Sequence, residues 1–170
     1  MQYVKLQVGC LIIILYVIVT YVKAADRKHI PCNKLYDALM VVTPWAVFFD
    51  GLTAWTVNHL DSVPGIVNRL AHLLFFVFMD LVIIITALYM YDQTIGLSKQ
   101  NRKKNWLLLV PGVVSLVLIV AGIGHLKYLH GQTTNYSMGF SVYVCFGTLF
   151  FYYGIILYLL IARHRFLPKE

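Results

Sequence analysis

The stretch Phe48–Asp80, FFDGLTAWTVNHLDSVPGIVNRLAHLLFFVFMD, contains two apolar segments separated by a short polar turn. Four ionisable side chains lie inside the apolar segments, namely Asp50, Arg69, His72 and Asp80. An ionisable group near the centre of a membrane helix costs about 2.5–3.5 kcal/mol on insertion scales, so such groups usually have a role. The stretch predicts the end of one membrane helix, a loop and the start of the next, with any functional site inside it.

The whole chain is as apolar as this stretch. Of its 170 residues, 60% are hydrophobic and only 12% are charged, and the mean hydropathy is +0.75. Soluble domains carry about 25% charged residues. Because a soluble fold of this length cannot enclose so much apolar surface, the composition favours an integral membrane protein over a soluble all-α domain.

Five apolar runs are long enough to cross a bilayer. They are continuous rather than alternating, which indicates helices rather than the strands of a barrel. The predicted spans cover residues 6–22, 38–57, 66–90, 106–124 and 139–162. We therefore predict an all-α integral membrane protein, a single domain over residues 1–170 built as a bundle of five transmembrane helices.

Basic residues alternate along the chain from one connecting segment to the next. Eleven of the 14 lie after the first, third and fifth spans: Lys23, Arg27, Lys28 and Lys34; Lys99, Arg102, Lys103 and Lys104; and Arg163, Arg165 and Lys169. The positive-inside rule then predicts an N-terminus outside and a C-terminus in the cytoplasm, as in a bacterial cytoplasmic membrane. This distribution explains the net charge of +7 by topology, with the lipid bilayer as partner, and argues against nucleic-acid binding.

Counting residues from the span ends predicts the depth of the ionisable groups. At the rise of an α-helix, Asp50 lies about 10 Å and His72 about 9 Å below the outer surface, whereas Asp80 lies about 21 Å down. Arg69, His72 and Asp80 share one side of the third span. Asp50 is one loop away, at the level of His72, and can pair with Arg69 or His72 across the hairpin.

Three interpretations of these residues stay open. The first is a buried pairing of Asp50 with Arg69 or His72 that fixes how the hairpin packs. The second is a polar pocket at the outer face that binds a small ligand or responds to pH, because histidine titrates near neutrality. The third is an ion or proton pathway that reaches Asp80. The candidate sensing residues are Asp50, Asn58, Arg69, His72 and Asp80.

Metal and cofactor chemistry has little support. A weak possibility is a metal site on the outer face, made of His59, Asp61, His125 and His130, whose spacing is loose for ligands. We expect no cofactor, because only His72 lies within a span as a haem ligand would, and no span has a lysine near its middle for retinal. No serine has an evident catalytic partner, so we expect no enzyme activity in this chain.

Three glycines recur along the fifth span. Gly139, Gly147 and Gly154 follow one another at steps of eight and seven residues. Small residues at such spacing let another helix approach closely. We expect that helix to come from the same chain, with a homodimer as the alternative.

The segment from about residue 49 to 94 resembles the N-terminal multi-helix membrane region of clostridial signalling proteins. The residues that carry the resemblance are Asp50, Thr53, Asn58, Val63, Pro64, Asn68, His72, Phe75 and Phe76. In that family the membrane region precedes a GGDEF diguanylate cyclase, an HD-GYP phosphodiesterase or a histidine kinase domain, and it usually has more than five helices. The resemblance implies an input module with a downstream cytoplasmic signalling domain.

The resulting expectation is a membrane sensor or receptor module for signal transduction, truncated before further helices or a cytoplasmic output domain. Enzyme activity would belong to a full-length parent and not to these 170 residues. Two alternatives remain: a small-solute or proton carrier that depends on Asp80, and a stand-alone membrane partner protein.

Overall fold

The computed structural model describes residues 4–28, 34–94 and 102–166, with side chains for 4–23, 34–94 and 106–161. Its helices are α1 (Lys5–Lys28), α2 (Lys34–Val57), α3 (Gly65–Thr94), α4 (Arg102–Gly122) and α5 (Phe140–Phe166). All five are long and apolar enough to cross a membrane. The prediction of a helical fold with five candidate spans is thereby confirmed. Parts of the predicted basic segments, at 29–33, 95–101 and 167–170, lie outside the described residues.

Helices α2 and α3 form an antiparallel hairpin that is the central contact of the bundle. A stacked pair, Phe49 and Phe78, has ring centroids 5.4 Å apart, and nearer the turn Thr56 bonds Asn68. Helix α3 begins after Pro64, whose carbonyl accepts the backbone N–H of Asn68 at 3.2 Å. These contacts set the level at which each residue of α2 faces α3.

Helices α4 and α5 pack against each other and against α3, whereas α1 packs against α2 at the edge of the bundle. The most apolar window of α1 has no buried residue. Such exposed apolar surface is expected for a helix in a membrane, because lipid tails are as apolar as leucine. Helix association there depends on close packing and polar contacts. The core is accordingly made by α2 to α5.

Close approach of α4 and α5 depends on glycines of α4. A Cβ atom at Gly122 would lie 2.8 Å from Ser141 Oγ, and one at Gly112 would lie 2.9 Å from the Tyr152 hydroxyl. The expectation for the fifth span was wrong in this respect, since Gly147 and Gly154 have no atom within 4 Å of such a Cβ. Those two glycines face away from the chain.

A small β-hairpin connects α4 to α5, where the sequence predicted only a polar loop. After a 3₁₀ turn at Ile123–His125, strands β1 (Lys127–Leu129) and β2 (Tyr136–Met138) pair antiparallel, with Tyr128 opposite Ser137. Strands of three residues are too short to show the alternation that identifies a strand in sequence. The hairpin matters because it covers the end of α2.

Candidate functional site

The turn at 58–64 and the β-hairpin lie together at one end of the bundle, which we call the hairpin end. Asn58 and Asn135 join them. Asn58 Oδ1 accepts the Asn135 backbone N–H at 3.0 Å, and Asn135 Nδ2 donates to the Val57 carbonyl at 3.0 Å. Asn58 Nδ2 in turn donates to the Ala54 carbonyl at 2.7 Å. We call this pair of asparagines the latch, because it ties the α2–α3 hairpin to the α4–α5 connection.

His72 lies on α3 at the hairpin end and is only 4% exposed. Its Nδ1 lies 2.9 Å from the Asn68 carbonyl, and its ring centroid is 5.4 Å from that of Tyr128 in β1. Because a carbonyl only accepts, Nδ1 carries the hydrogen, and Nε2 is the acceptor of the neutral ring. The imidazole is thus held from α3 and capped by the β-hairpin.

Two polar groups next to His72 have no hydrogen-bond partner among the described residues. Asn68 is fully buried; its Oδ1 accepts the Thr56 hydroxyl at 2.9 Å, but its Nδ2 has no hydrogen-bond partner. The buried hydroxyl oxygen of Tyr128 has none either. Burial raises the pKa of Tyr128, and the positive charge of Arg69 partly opposes that rise. Buried donors are normally satisfied, so these groups mark a place where a polar partner would be stabilising.

The predicted pairing of Asp50 is wrong. Among the described residues, no hydrogen bond or ion pair joins its partly exposed carboxylate to Arg69 or His72. His72 bonds to its own helix through Asn68, and Arg69 is exposed at the start of α3. An arginine near a helix end extends its charge to the interface and avoids the cost of burial, which removes the need for a buried partner.

Asp80 lies farther along α3 and is 1% exposed. Its Oδ2 accepts the Ser115 hydroxyl of α4 at 2.5 Å, and Ser115 Oγ accepts the Thr148 hydroxyl of α5 at 2.7 Å. Cys145 of α5 lies beside the same carboxyl. No donor among the described residues is placed to form a hydrogen bond with the buried Oδ1 of Asp80. Side chains from three helices therefore meet at one buried carboxyl.

The structure divides the predicted sensing residues among separate places. Asn58 and His72 belong to the hairpin end, Asp80 belongs to the three-helix cluster, and Asp50 and Arg69 join neither by a hydrogen bond or ion pair. Sequence reasoning missed Asn68, Tyr128, Asn135, Ser115 and Thr148. The signal that could have identified them was a polar residue within an apolar run. Ser115 is an example, but we considered it only as a catalytic serine and found no partner for that role.

The predicted outer-face metal residues do not come together. His59 Nδ1 lies 2.8 Å from the Trp55 carbonyl with its ring stacked on the indole, and His130 Nδ1 lies 3.1 Å from Asn135 Oδ1. Within the described part of the chain, no group of three or more histidine, cysteine or acidic residues is arranged to hold a metal ion. Asp61 and His125 are exposed and add no ligand cluster.

Comparisons of the chain with models of protein families, with curated proteins and with solved structures found no match. The geometry of the hairpin end and of the Asp80 cluster is therefore the basis for any functional conclusion.

Proposed function

We propose that this chain is the membrane-embedded input module of a bacterial signalling protein, with the hairpin end at the outer surface and the C-terminus in the cytoplasm. Three features support the proposal: five helices of spanning length, basic residues concentrated in alternate connecting segments, and the resemblance of residues 49–94 to clostridial sensor regions. In this orientation the latch and His72 lie on the side that meets external stimuli.

The observation that carries the proposal is a latch at the same end of the bundle as a buried histidine with unsatisfied polar neighbours. The latch is partly exposed, whereas His72 and Asn68 are buried. The latch holds the β-hairpin, and Tyr128 of that hairpin lies against the His72 ring. A stimulus that opens the latch and displaces the β-hairpin would separate Tyr128 from His72 and free polar groups at this end for binding.

The β-hairpin supplies the route from this end to the rest of the bundle. It connects α4 to α5 directly, and α5 packs along α3, which carries His72. A displacement of β1 and β2 from the end of α2 would shift the start of α5. Because α5 runs from the hairpin end as far as Phe166, that shift would be transmitted along α5 towards the C-terminus. The packed pair of α3 and α5 thus provides a continuous path from the hairpin end towards the C-terminus, as coupling through packed side chains requires.

The test uses the chromosomal gene of the source bacterium, with all in-frame sequence that follows codon 170. Asn58→Ala and His72→Ala are compared with the parent by cyclic-di-GMP content and by protein phosphorylation. We expect both variants to change at least one output, with the same amount of protein in the membrane. His125→Ala is the matched control, because His125 is an exposed histidine at the same end and its side chain bonds no described residue.

If both variants show parental output at parental membrane abundance, the hairpin end is not an input site. If the output changes only in proportion to lost protein, the latch is structural and the sensing role is likewise rejected. A changed output for His125→Ala as well would show that the assay reports general disturbance of the surface.

A carrier of protons or small solutes is the second candidate, and the burial of Asp80 between three helices favours it. Ionisable groups inside the bilayer commonly mark ion pathways and proton relays. It predicts flux in proteoliposomes that is lost in Asp80→Asn. Absence of flux for protons and for a panel of small solutes, in folded protein, would reject it.

A further inference from the structure

The Asp80 carboxyl has no counter-charge among the described side chains of the two helices that supply its neighbours. The described side chains of α4, over residues 106–122, and of α5, over 140–161, include no aspartate, glutamate, lysine or arginine. Helix α2, which also packs on α3, carries Lys34, Asp37 and Asp50. Among the described residues, no ion pair joins Asp80 to any of these. A negative charge on Asp80 would therefore have no paired opposite charge among the described side chains of α2, α4 and α5 to balance it.

Hydrogen bonds do not compensate for it either. A buried carboxylate needs several donors, because burial of an unpaired charge is far more costly than burial of a hydrogen-bonded neutral group. Asp80 Oδ2 has the hydroxyl of Ser115 as donor, whereas Oδ1 is enclosed and has no geometric partner. The hydroxyl of Thr148 is directed to Ser115 and to the Val144 carbonyl, so it does not serve Asp80 directly.

The enclosure of Oδ1 limits what can neutralise the group. This oxygen has less than 1 Å² of accessible surface. A metal cation would need room and several oxygen ligands around it, whereas a proton needs neither. Ser115 already bonds Oδ2 directly, which leaves no gap for an ion between these two atoms.

We propose that Asp80 is a proton-binding site in the interior of the bundle, made by Ser115 of α4 and by Cys145 and Thr148 of α5. The ligand class is a singly charged cation, and the occupant is the proton. The inference rests on neither the sensing role nor the carrier role, since a bound proton requires neither signalling nor transport.

Of the groups in this cluster, the Asp80 carboxyl is the one that binds the proton. Among the described residues, the titratable side chains that interact electrostatically with it are Cys145 and Tyr152 of α5. A thiol and a phenol are both neutral near pH 7 in their ordinary states, and hydroxyls of serine and threonine do not titrate. Release of the proton would leave a carboxylate with too few donors, so it requires α4 or α5 to move. Proton occupancy is thus coupled to the packing of three helices.

Infrared spectroscopy of the full chain in liposomes tests the site directly, because a protonated carboxyl has a carbonyl stretching band that a carboxylate lacks. At neutral pH we expect this band in the parent, its loss in Asp80→Asn and its retention in Asp50→Asn. Ser115→Ala should keep the band and shift it to higher frequency, because one hydrogen bond to the carboxyl is removed. This second variant keeps the test decisive where Asp80→Asn fails to fold.

Absence of the band in the parent, or its persistence in folded Asp80→Asn, would overturn the proposal. Replacing N-methylglucamine chloride with sodium chloride should leave the band unchanged. Loss of the band in sodium would show that a metal cation and not a proton is the occupant. Because the readout is a bond vibration, a failed signalling or flux assay leaves this result unaffected.

Discussion

Arg69 shows how the position of one charge decides its energetic weight. The side chain is exposed at the start of α3 and interacts electrostatically with the Tyr128 hydroxyl. Breaking a buried ion pair costs about 3–5 kcal/mol, because one charge is left without a partner. An exposed side chain without such a pair contributes little, since solvent already screens it.

Arg69→Gln distinguishes these two situations. We expect a change in the free energy of unfolding of less than about 0.5 kcal/mol, measured by titration with SDS in detergent micelles. Asp50→Asn should behave in the same way. A loss of about 3 kcal/mol in either variant would restore the buried pairing that the hairpin spacing suggested.

Helix α4 lacks one backbone hydrogen bond at a proline, and a tyrosine of α5 bonds the backbone groups beside it. Pro111 has no N–H to donate, and the next residue, Gly112, lies against α5. The Tyr152 hydroxyl accepts the Gly112 N–H at 2.9 Å and donates to the Leu108 carbonyl at 2.7 Å. In a regular helix the Gly112 N–H would bond the Leu108 carbonyl directly. Here the Tyr152 hydroxyl stands between these two groups and bonds both of them, next to the position where Pro111 cannot donate a backbone hydrogen bond.

Tyr152→Phe should therefore lower the free energy of unfolding by about 1–3 kcal/mol, because a buried donor and a buried acceptor each lose a hydrogen bond. The same SDS titration measures the change. Tyr153→Phe is the matched control, since the neighbouring ring is exposed and its hydroxyl bonds no described residue. Equal effects of the two variants would contradict the bridging role of Tyr152.

A further prediction compares a glycine inside the α4–α5 contact with a glycine outside it. Gly112→Ala places a methyl group against the Ile84 side chain and the Tyr152 hydroxyl, and overpacking of this kind costs about 1–3 kcal/mol. Gly147→Ala meets no atom within 4 Å and should be neutral or slightly stabilising. Thermal unfolding in detergent compares the two. A destabilised Gly147→Ala protein would point to a contact with a second copy along that face.

At the scale of the whole molecule, the predicted orientation in a membrane rests on charge and not on packing. Basic residues cluster after the first, third and fifth spans, so the connecting segments at 58–64 and 123–139 are predicted outside. Both segments lie at the hairpin end, which agrees with their being on one side of the bilayer. The fold requires only that they share a side.

Labelling of single cysteines with a membrane-impermeant maleimide tests the orientation. In a background without the three native cysteines, Ser62→Cys and Gln132→Cys should react in intact cells, because both positions are exposed at the hairpin end. Gln93→Cys, exposed at the far end of α3, should react only after permeabilisation. The opposite pattern would invert the topology and place the latch in the cytoplasm.

Much of the helical framework was predictable from sequence. The apolar runs at 6–22 and 66–90 lie within α1 and α3, because length and continuous apolarity decide whether a segment forms a spanning helix. The partners of polar groups were less predictable. Depth counting placed Asp50 and His72 at similar levels, but it has no information on which way each side chain leaves its helix relative to the neighbours.

Sequence alone determined the number of candidate spans and the places where charge is rare, since both follow from hydropathy along one dimension. Only the tertiary structure decided that Asp80 meets Ser115 and Thr148, and that Asn135 bonds Asn58 across more than 70 residues of chain. The physical reason is that a helix shows the same apolar surface to lipid and to other helices. Its neighbours are then selected by small residues and a few hydrogen bonds, and these pairings exist only once the helices have packed.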